Sequence, residues 1–242
     1  QYARALRKKH PGAKIVVTGC DGETEKEFWT SVKDVDIFMP NTEKSRILEY
    51  LAGPTLRQEA RLEKVFKEDA IGFYPFRSRA FIKIQEGCES FCTYCIVPFA
   101  RGPERSRCSK EIISEFRTLL EQGHKEIVLT GVNISAYRDG SIGLTELVSD
   151  LAGIGGDFRI RLSSTEPHPD NRRLIGIMKD NSKICRFLHL PLQHGADEIL
   201  TRMGRKYGTS EFAEFAQEAV STIPGIHLGT DVICGFPGET SE

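Results

Sequence analysis

Short apolar runs alternate with amphipathic segments along the chain from about residue 79 onward. A short apolar run is typical of a buried strand, and apolar residues recurring every three or four positions are typical of a helix. The pattern predicts strands at Ala80 to Gln85, Glu126 to Thr130, Phe158 to Leu162, Phe187 to Pro191 and Ile226 to Cys234. It predicts helices at Ser109 to Gln122, Leu144 to Ile154, Asn171 to Lys179, Ala196 to Met203 and Ser210 to Thr222.

Regular alternation of strand and helix favours parallel strands joined by helical crossovers, as in a TIM-like barrel or a doubly wound sheet. The five predicted strands are too few to close an eight-stranded barrel. We therefore expect an α/β fold with a partial parallel β/α barrel of the TIM-like type. Polar and glycine-containing residues cluster just after the predicted strands, at the edge where such folds place their chemistry.

The N-terminal part of the chain shows a shorter version of the same alternation. It predicts a helix at Gln1 to His10, strands at Ile15 to Val17 and Val35 to Met39, and a helix at Thr42 to Leu51. The stretch from Ala52 to Ser78 is polar and mixed in charge, and we place a domain boundary in it near residue 75. The expected organisation is an α/β domain over residues 1–75 followed by the partial barrel over residues 76–242.

Composition and charge restrict the possible classes of function. The 242 residues include 33 Lys and Arg against 34 Asp and Glu, so any contact with nucleic acid must come from a local cluster of basic residues. No stretch approaches the roughly 18 apolar residues of a membrane span, and the N-terminus lacks a signal pattern, so we expect a cytoplasmic protein. Because the chain begins at Gln1 and ends just behind a turn-like run, we expect a fragment cut at both ends.

The cysteines carry the strongest chemical signal. The chain has seven, an odd and uneven set that disfavours a disulfide framework. Cys88, Cys92 and Cys95 form a C-x3-C-x2-C run after the first strand of the repeat, which suits an iron–sulfur cluster with one iron left open. The alternatives are a zinc site completed by a distant residue such as Cys108 or His124, or three unlinked thiols.

With these cysteines, the chain resembles the radical S-adenosylmethionine (SAM) superfamily, whose members carry the motif after the first strand of a partial β/α barrel. Five segments look like the methylthiotransferases of that superfamily. They are Ile84 to Cys88, Ile96 to Gly102, Arg105 to Arg107, His189 to Gly195 and Gly235 to Thr240. The segment Arg161 to Pro167 most resembles the branch that modifies N6-threonylcarbamoyladenosine in tRNA.

The resemblance implies that Cys88, Cys92 and Cys95 hold a [4Fe-4S] cluster whose free iron binds SAM. Reductive cleavage of SAM would give a 5'-deoxyadenosyl radical that abstracts hydrogen from C2 of a tRNA adenosine next to the anticodon, and a second SAM would donate the methyl group. The expected partners are tRNA as substrate and a reducing protein such as flavodoxin or ferredoxin, with no membrane partner. A plain ferredoxin role is disfavoured, because it would use a fourth cysteine.

The resemblance also implies a second [4Fe-4S] cluster in the N-terminal domain of the intact protein. Cys20, in the run Val17-Thr18-Gly19-Cys20, matches the third ligand of that cluster, and the first two ligands have no counterpart. A single cysteine after a strand is otherwise a small buried apolar residue. From the resemblance we also expect this chain to lack the barrel's last strand and the family's C-terminal RNA-binding domain.

Several residues after the predicted strands are candidates for the SAM site. The resemblance places Tyr94 beside the SAM adenine and the backbone at Gly131 and Asn133 near its amino group. If the strand predictions are right, Ser163, Glu166 and Gln193 point to the same edge and bind SAM hydroxyls or the nucleotide. Ordinary loop packing, a strand-to-helix turn and solvated loop residues are the structural alternatives.

A basic stretch follows the cysteine run. Arg101, Arg105 and Arg107 suit contacts with phosphate, with a solvated surface as the alternative.

Within the superfamily, the isopentenyladenosine enzyme and the enzyme for a ribosomal-protein aspartate are alternatives. From another class, a noncatalytic iron–sulfur or zinc protein that binds RNA or a partner is the alternative, and SAM binding separates it from the enzymes.

Overall fold

The computed structural model describes residues 1–52, 77–167 and 169–240. The chain folds into two compact units. The first comprises Gln1–Glu63 and Cys95–Pro103, and the second comprises Lys64–Tyr94 and Glu104–Glu242. The domain boundary predicted near residue 75 lies outside the described residues.

The first unit is a small α/β structure around one parallel strand pair. Its elements are α1 (Tyr2–Lys9), β1 (Val16–Val17), α2 (Cys20–Thr24), α3 (Lys26–Ser31), β2 (Ile37–Phe38), α4 (Ile47–Ala52) and α5 (Val97–Arg101). Val16 of β1 pairs with Ile37 of β2, and a small core forms from Ile37, Met39 and Tyr50. The predicted helix at Thr42 to Leu51 divides into a 3-10 turn at Asn41–Arg46 and α4, because the first turn of a helix is often tightened in this way.

The strands of the second unit form a curved, mostly parallel arrangement. They are β3 (Arg79–Glu86), β4 (Arg105–Ser106), β5 (Glu126–Gly131), β6 (Arg138–Asp139), β7 (Ile142–Gly143), β8 (Arg159–Leu162), β9 (Phe187–His189) and β10 (His227–Gly229). β5 lies between β3 and β8 and is parallel to both, and β9 and β10 form a second parallel pair. A parallel bridge between Ile160 and Ile184 continues the arrangement from β8 toward β9. The five main strands are those that the sequence predicts.

The helices of the second unit complete the α/β alternation. They are α6 (Ser109–Glu121), α7 (Leu144–Ala152), α8 (Pro169–Asp180), α9 (Asp197–Arg202) and α10 (Thr209–Thr222). Their apolar faces and the strands enclose one core, in which the rings of Phe116 and Phe158 meet edge to face at 5.3 Å. In the described parts of the chain, no helix is both long and apolar enough to cross a membrane. The predicted α/β fold with a partial parallel barrel is confirmed.

The structure of the second unit differs from the sequence prediction in the last strand and in three short strands. The last predicted strand, Ile226 to Cys234, is shortened to β10, and its later part makes a single bridge between Val232 and Gln193. The two-residue strands β4, β6 and β7 are too short to give an alternating pattern. The antiparallel pairing of β4 with Gln85 and Glu86 covers the edge of the sheet beside the cysteine loop.

Candidate functional site

The carboxyl ends of β3 and β5 are held together by one buried side chain. Gln85 is fully buried, and its Oε1 accepts hydrogen bonds from the backbone N of Val132 at 3.1 Å and of Asn133 at 2.8 Å. Its Nε2 donates to the carbonyl oxygen of Gly87 at 2.8 Å. Gln85 therefore fixes the loop after β5 against the start of the cysteine loop, a role that sequence reasoning missed.

The cysteine loop begins directly after β3, as the sequence predicts. Gly87 turns the chain with φ 76°, and Phe91 adopts φ 49°, a left-handed conformation that a bulky side chain rarely takes. Strained backbone of this kind is concentrated at binding and active sites. Six residues lie between the first and last cysteine of the run, and Phe91 is one of them.

Two of the three sulfur atoms in this loop accept hydrogen bonds. Cys88 Sγ accepts one from the backbone N of Ser90 at 3.4 Å, and Cys92 Sγ accepts one from Arg205 Nη1 at 3.3 Å. All seven cysteines of the chain are free thiols. Within the described residues, no three Cys, His, Asp or Glu side chains are arranged to hold a metal ion. The assignment of Cys88, Cys92 and Cys95 as ligands therefore stays a prediction.

The zinc alternative through His124 is wrong. His124 lies immediately before β5, whose first residue, Glu126, pairs with Arg79 at the start of β3. The cysteine loop follows the other end of the eight-residue strand β3. At about 3.3 Å per residue, His124 is therefore roughly 25 Å from the cysteines, at the opposite edge of the sheet.

Arg205 is the main functional candidate that the sequence analysis missed. It follows α9 and is 113 residues from Cys92 in the chain, yet its Nη1 contacts the sulfur of Cys92 and the hydroxyl of Tyr94, the latter at 3.4 Å. Its Nη2 donates to Glu166 Oε1 at 2.8 Å and to the hydroxyl of Tyr207 at 2.9 Å. Arg205 thus joins two of the predicted site residues, Tyr94 and Glu166, to a predicted ligand.

The surroundings of Tyr94 and Arg205 raise the pKa values of both side chains. Burial, together with the nearby Cys92, raises the pKa of Tyr94 to about 12 against the opposing effect of Arg205. Burial acts to lower the pKa of Arg205, but the charge of Glu166 and the neighbouring tyrosines and Cys92 outweigh it, so that pKa is raised. The guanidinium is therefore a permanent positive charge, and the phenol of Tyr94 remains neutral.

Glycine at position 131 is required by packing against β3. A Cβ there would lie 2.8 Å from the carbonyl oxygen of Gln85 and 3.1 Å from its Cβ. Asn133 precedes a 3-10 turn at Ile134–Ala136, and its backbone N is taken by Gln85. The two residues lie at the predicted edge, and their contact with SAM stays a prediction.

The remaining predicted residues lie at the ends of β8 and β9. Ser163 is half-buried, and its backbone N donates a hydrogen bond to the carbonyl oxygen of Leu129. The backbone N of Glu166 donates a hydrogen bond to Ser135 Oγ at 3.0 Å. Gln193 has φ 70°, and its backbone pairs with the segment after β10. The structure joins Glu166 to the cysteine loop through Arg205, and the roles of Ser163 and Gln193 stay predictions.

The predicted phosphate-binding stretch is wrong for two of its three arginines. Arg107 is buried in an ion pair with Glu115 at 2.7 Å, and burial of Arg105 lowers its pKa. Both side chains belong to the protein interior. Arg101, in the first unit, donates from Nε to Cys20 Sγ at 3.4 Å. Cys20 is the first residue of α2, and its role as a cluster ligand stays a prediction.

Comparison with known proteins identifies the family. The model of the radical SAM superfamily matches residues 82–242, which includes the cysteine loop and every strand of the second unit from β4 to β10. The chain belongs to the radical SAM superfamily. This family uses a [4Fe-4S] cluster and SAM.

Among radical SAM proteins, the chain is similar to curated tRNA-modifying enzymes. It is 38% identical over 239 residues to the threonylcarbamoyladenosine tRNA methylthiotransferase MtaB of Chlamydia pneumoniae, covering 99% of this chain and 55% of the relative. It is 34% identical to the tRNA-2-methylthio-N(6)-dimethylallyladenosine synthase of Clostridioides difficile, covering 98% of this chain and 52% of the relative. The chain therefore spans about half the length of these relatives.

Solved structures of radical SAM enzymes share the fold. The cobalamin-dependent enzyme OxsB, with aqua-cobalamin and S-adenosylmethionine bound, matches with a TM-score of 0.66 at 13% identity, over 90% of this chain and 36% of that one. The methyltransferase TsrM from Kitasatospora setae, with cobalamin and a [4Fe-4S] cluster bound, matches with a TM-score of 0.56 at 18% identity, over 66% and 32% of the two chains.

The residues of the cysteine loop fit an iron–sulfur cluster in the chemistry of their donors. Three free thiols lie in one loop, and cysteine thiolates are the usual ligands of such clusters. The backbone N of Ser90 donates to Cys88 Sγ, and Arg205 Nη1 donates to Cys92 Sγ. A donor set of this kind, with neighbouring N–H groups, matches the cofactor that the family uses.

Proposed function

We propose that this chain is part of a tRNA methylthiotransferase that adds a methylthio group to C2 of N6-threonylcarbamoyladenosine next to the anticodon. The observation that carries the proposal is the loop of three free cysteines at the carboxyl edge of the sheet, with Arg205 linking Cys92 to Glu166 and Tyr94. The names of the curated relatives support the substrate class. The family's cofactors suit the reaction, because C2 of adenine carries an unactivated C–H bond.

In this proposal, Cys88, Cys92 and Cys95 hold the cluster. The cluster and SAM, when bound, supply the carbon radical that acid–base side chains cannot generate. The chain's own residues hold the two loops of the site in place: Gln85 fixes the loop after β5, and Arg205 fixes the cysteine loop. The SAM contacts proposed for this edge come from Tyr94, Gly131, Asn133, Ser163, Glu166 and Gln193.

The proposal extends to the organisation and partners of the intact protein. Residues 1–75 would belong to a domain with a second [4Fe-4S] cluster to which Cys20 contributes, and residues 76–242 to the radical SAM core. A one-electron donor such as flavodoxin or ferredoxin would reduce the cluster, and the tRNA substrate favours a cytoplasmic location. The names of the tRNA-modifying relatives support tRNA as the substrate.

A second candidate substrate is the isopentenylated adenosine of tRNA. It is favoured by the dimethylallyladenosine synthases among the relatives, which are 34–36% identical to the chain in four species. An aspartate of a ribosomal protein is the third substrate that the sequence raises. The three candidates share the chemistry of the cysteine loop and differ in the product.

The test uses the whole gene product in a bacterial strain that lacks its own tRNA methylthiotransferases. Mass spectrometry of tRNA nucleosides should show 2-methylthio-N6-threonylcarbamoyladenosine with the wild type and with Cys185→Ala, and none with Cys92→Ala. Cys185 is a matched control, because it is a free cysteine outside the loop. A methylthio group on dimethylallyladenosine instead would establish the second candidate.

In parallel, the reconstituted protein should release 5'-deoxyadenosine from SAM under reducing conditions. Release without any methylthiolated nucleoside would overturn the tRNA assignment and favour the ribosomal-protein substrate. A reconstituted cluster with neither SAM binding nor SAM cleavage would support the noncatalytic iron–sulfur protein.

A further inference from the structure

The end of α9 is fastened to the cysteine loop. The backbone N of Thr93 donates to the carbonyl oxygen of Met203 at 3.0 Å, and its hydroxyl donates to that of Arg202 at 3.1 Å. Gly204 then turns the chain with φ 73°, a left-handed conformation that favours glycine. This turn delivers the next residue, Arg205, directly onto the loop between the second and third cysteines.

The guanidinium of Arg205 is fixed on several sides. Its side chain is 6% exposed, and its carbon Cζ lies 4.7 Å from the ring centroid of Tyr207. The hydroxyl of Tyr207 in turn donates to the carbonyl oxygen of Pro191. Because burial and these contacts restrict the side chain, the bond from Nη1 to Cys92 Sγ is held by the fold.

The positive charge of Arg205 is only partly balanced by the carboxylate that pairs with it. Burying a positive charge is costly unless it is paired and hydrogen-bonded. The carboxylate paired with it is that of Glu166, which is 34% exposed and so partly screened by solvent. As a cluster ligand, the sulfur of Cys92 would supply negative charge on the more deeply buried side of the guanidinium, where Nη1 already points at it.

We propose that Arg205 is a positioning residue that donates a charged hydrogen bond to the Cys92 sulfur of the cluster and thereby raises the reduction potential of that cluster. The inference rests on the proposed function, because it assumes a [4Fe-4S] cluster on Cys88, Cys92 and Cys95. One electron enters the cluster on reduction, and no covalent bond forms or breaks. A fixed positive charge beside the sulfur favours the reduced, more negative form, since hydrogen bonds to cluster sulfurs help to set the potential.

Glu166 works in the opposite direction in this arrangement. Its carboxylate neutralises part of the charge of Arg205 and competes for the same guanidinium. Removing the carboxylate leaves more of the positive charge available to the sulfur of Cys92. We therefore expect substitutions of Arg205 and of Glu166 to shift the reduction potential in opposite directions. If the pair had only a structural role, opposite shifts would not be expected.

The test is an anaerobic titration of the reconstituted whole gene product with dithionite, followed by electron paramagnetic resonance. Arg205→Gln should lower the equilibrium constant for cluster reduction at least tenfold, which is about 59 mV for one electron. Arg205→Lys should lie between Arg205→Gln and the wild type, because it keeps the charge and loses the planar fork. Glu166→Gln should shift the constant the other way. Lys206→Gln is the matched control, because it removes an exposed positive charge next in sequence and should change nothing.

Iron content and the circular dichroism spectrum show whether each variant is folded and loaded. If Arg205→Gln fails to load, Arg205→Lys and Glu166→Gln decide the question, and unchanged potentials in both overturn the inference. Equal shifts in Arg205→Gln and Lys206→Gln overturn it too. If the wild type loads a cluster and cleaves SAM while no variant moves the potential, this inference fails and the proposed function stands. If the wild type takes up no cluster, both fail.

Discussion

Two arginine–glutamate pairs in the second unit have different roles. Arg107 and Glu115 lie between the sheet and α6 at 2.7 Å, with side chains only 4% and 6% exposed. Arg205 and Glu166 lie beside the cysteine loop at 2.8 Å, and Glu166 is 34% exposed. The first pair is closed to solvent on both sides, whereas the second has one open side and a sulfur neighbour.

The two pairs differ in the further groups that accept hydrogen bonds from each guanidinium. Arg107 Nη1 is satisfied by Glu115 and by the carbonyl oxygen of Lys83, both parts of the permanent scaffold. Arg205 reaches instead to Cys92, which we propose as a cluster ligand. The same pair of residue types therefore holds the fold together at one place and adjusts a reactive group at the other.

The largest effect on stability is expected from opening the closed pair. Glu115→Ala leaves the Arg107 charge buried without its partner, which typically costs about 3–5 kcal/mol of unfolding free energy. Glu115→Gln keeps an oxygen acceptor and should cost less. Thermal or urea unfolding followed by circular dichroism measures both. A loss below about 1 kcal/mol for Glu115→Ala would show that water or a rearranged side chain replaces the carboxylate.

A change at Gly131 tests the packing of the edge on which the open pair depends. The Cβ of Gly131→Ala would lie 2.8 Å from the carbonyl oxygen of Gln85, so β3 or β5 must shift, at a cost of about 1–3 kcal/mol. Gly176→Ala is a matched control, because nothing lies within 4 Å of its Cβ position. Equal unfolding midpoints for the two variants would contradict the close approach.

The open pair should contribute less to stability than the closed one. Glu166→Ala removes a partly exposed carboxylate, and Arg205 keeps its contacts with Tyr207 and Cys92, so we expect a loss of about 1 kcal/mol. The same unfolding measurement, run beside Glu115→Ala, gives the comparison directly. A larger loss at Glu166 than at Glu115 would reverse the assignment of the two pairs to site and scaffold.

Much of the fold followed from the sequence, because each buried parallel strand and each amphipathic helix leaves its own local pattern. The cysteine loop was found for the same reason, since its three thiols lie within eight residues of Cys88. Arg205 leaves no such signal: it is 113 residues from Cys92 and follows a short helix. A contact between distant segments depends on the tertiary structure and leaves no local pattern in a single sequence.

The arginines after the cysteine run show the opposite failure. Their spacing looks like a basic surface, yet β4 pairs with the end of β3 and turns Arg105 and Arg107 into the interior. A two-residue antiparallel strand has no periodicity to detect. Burial at this position could therefore be learned only from the structure, and it removes both residues from the candidates for phosphate binding.

The smallest effect is expected at a half-buried carboxylate near the far end of the same edge. Glu239 accepts hydrogen bonds from the backbone N of Gly235 at 2.6 Å and of Phe236 at 3.0 Å, and lies 3.3 Å from His194 Nε2. His194 and then these two amides hold the pKa of Glu239 below its usual value of 4.5. Because the folded pKa is depressed, the stabilisation is complete above the unfolded value and is lost as the pH falls through the folded pKa.

Acidification should therefore release the Gly235–Glu239 turn below pH 4.5 and leave the buried pair at Arg107 intact. NMR titration of the Gly235 and Phe236 amide signals should show a transition below pH 4.5 that is absent in Glu239→Gln. A transition at or above 4.5 would mean that the carboxylate is not bound by these amides in the folded protein. Because a glutamine side chain does not titrate, Glu239→Gln should also make the turn insensitive to pH, which separates this contact from the two arginine–glutamate pairs.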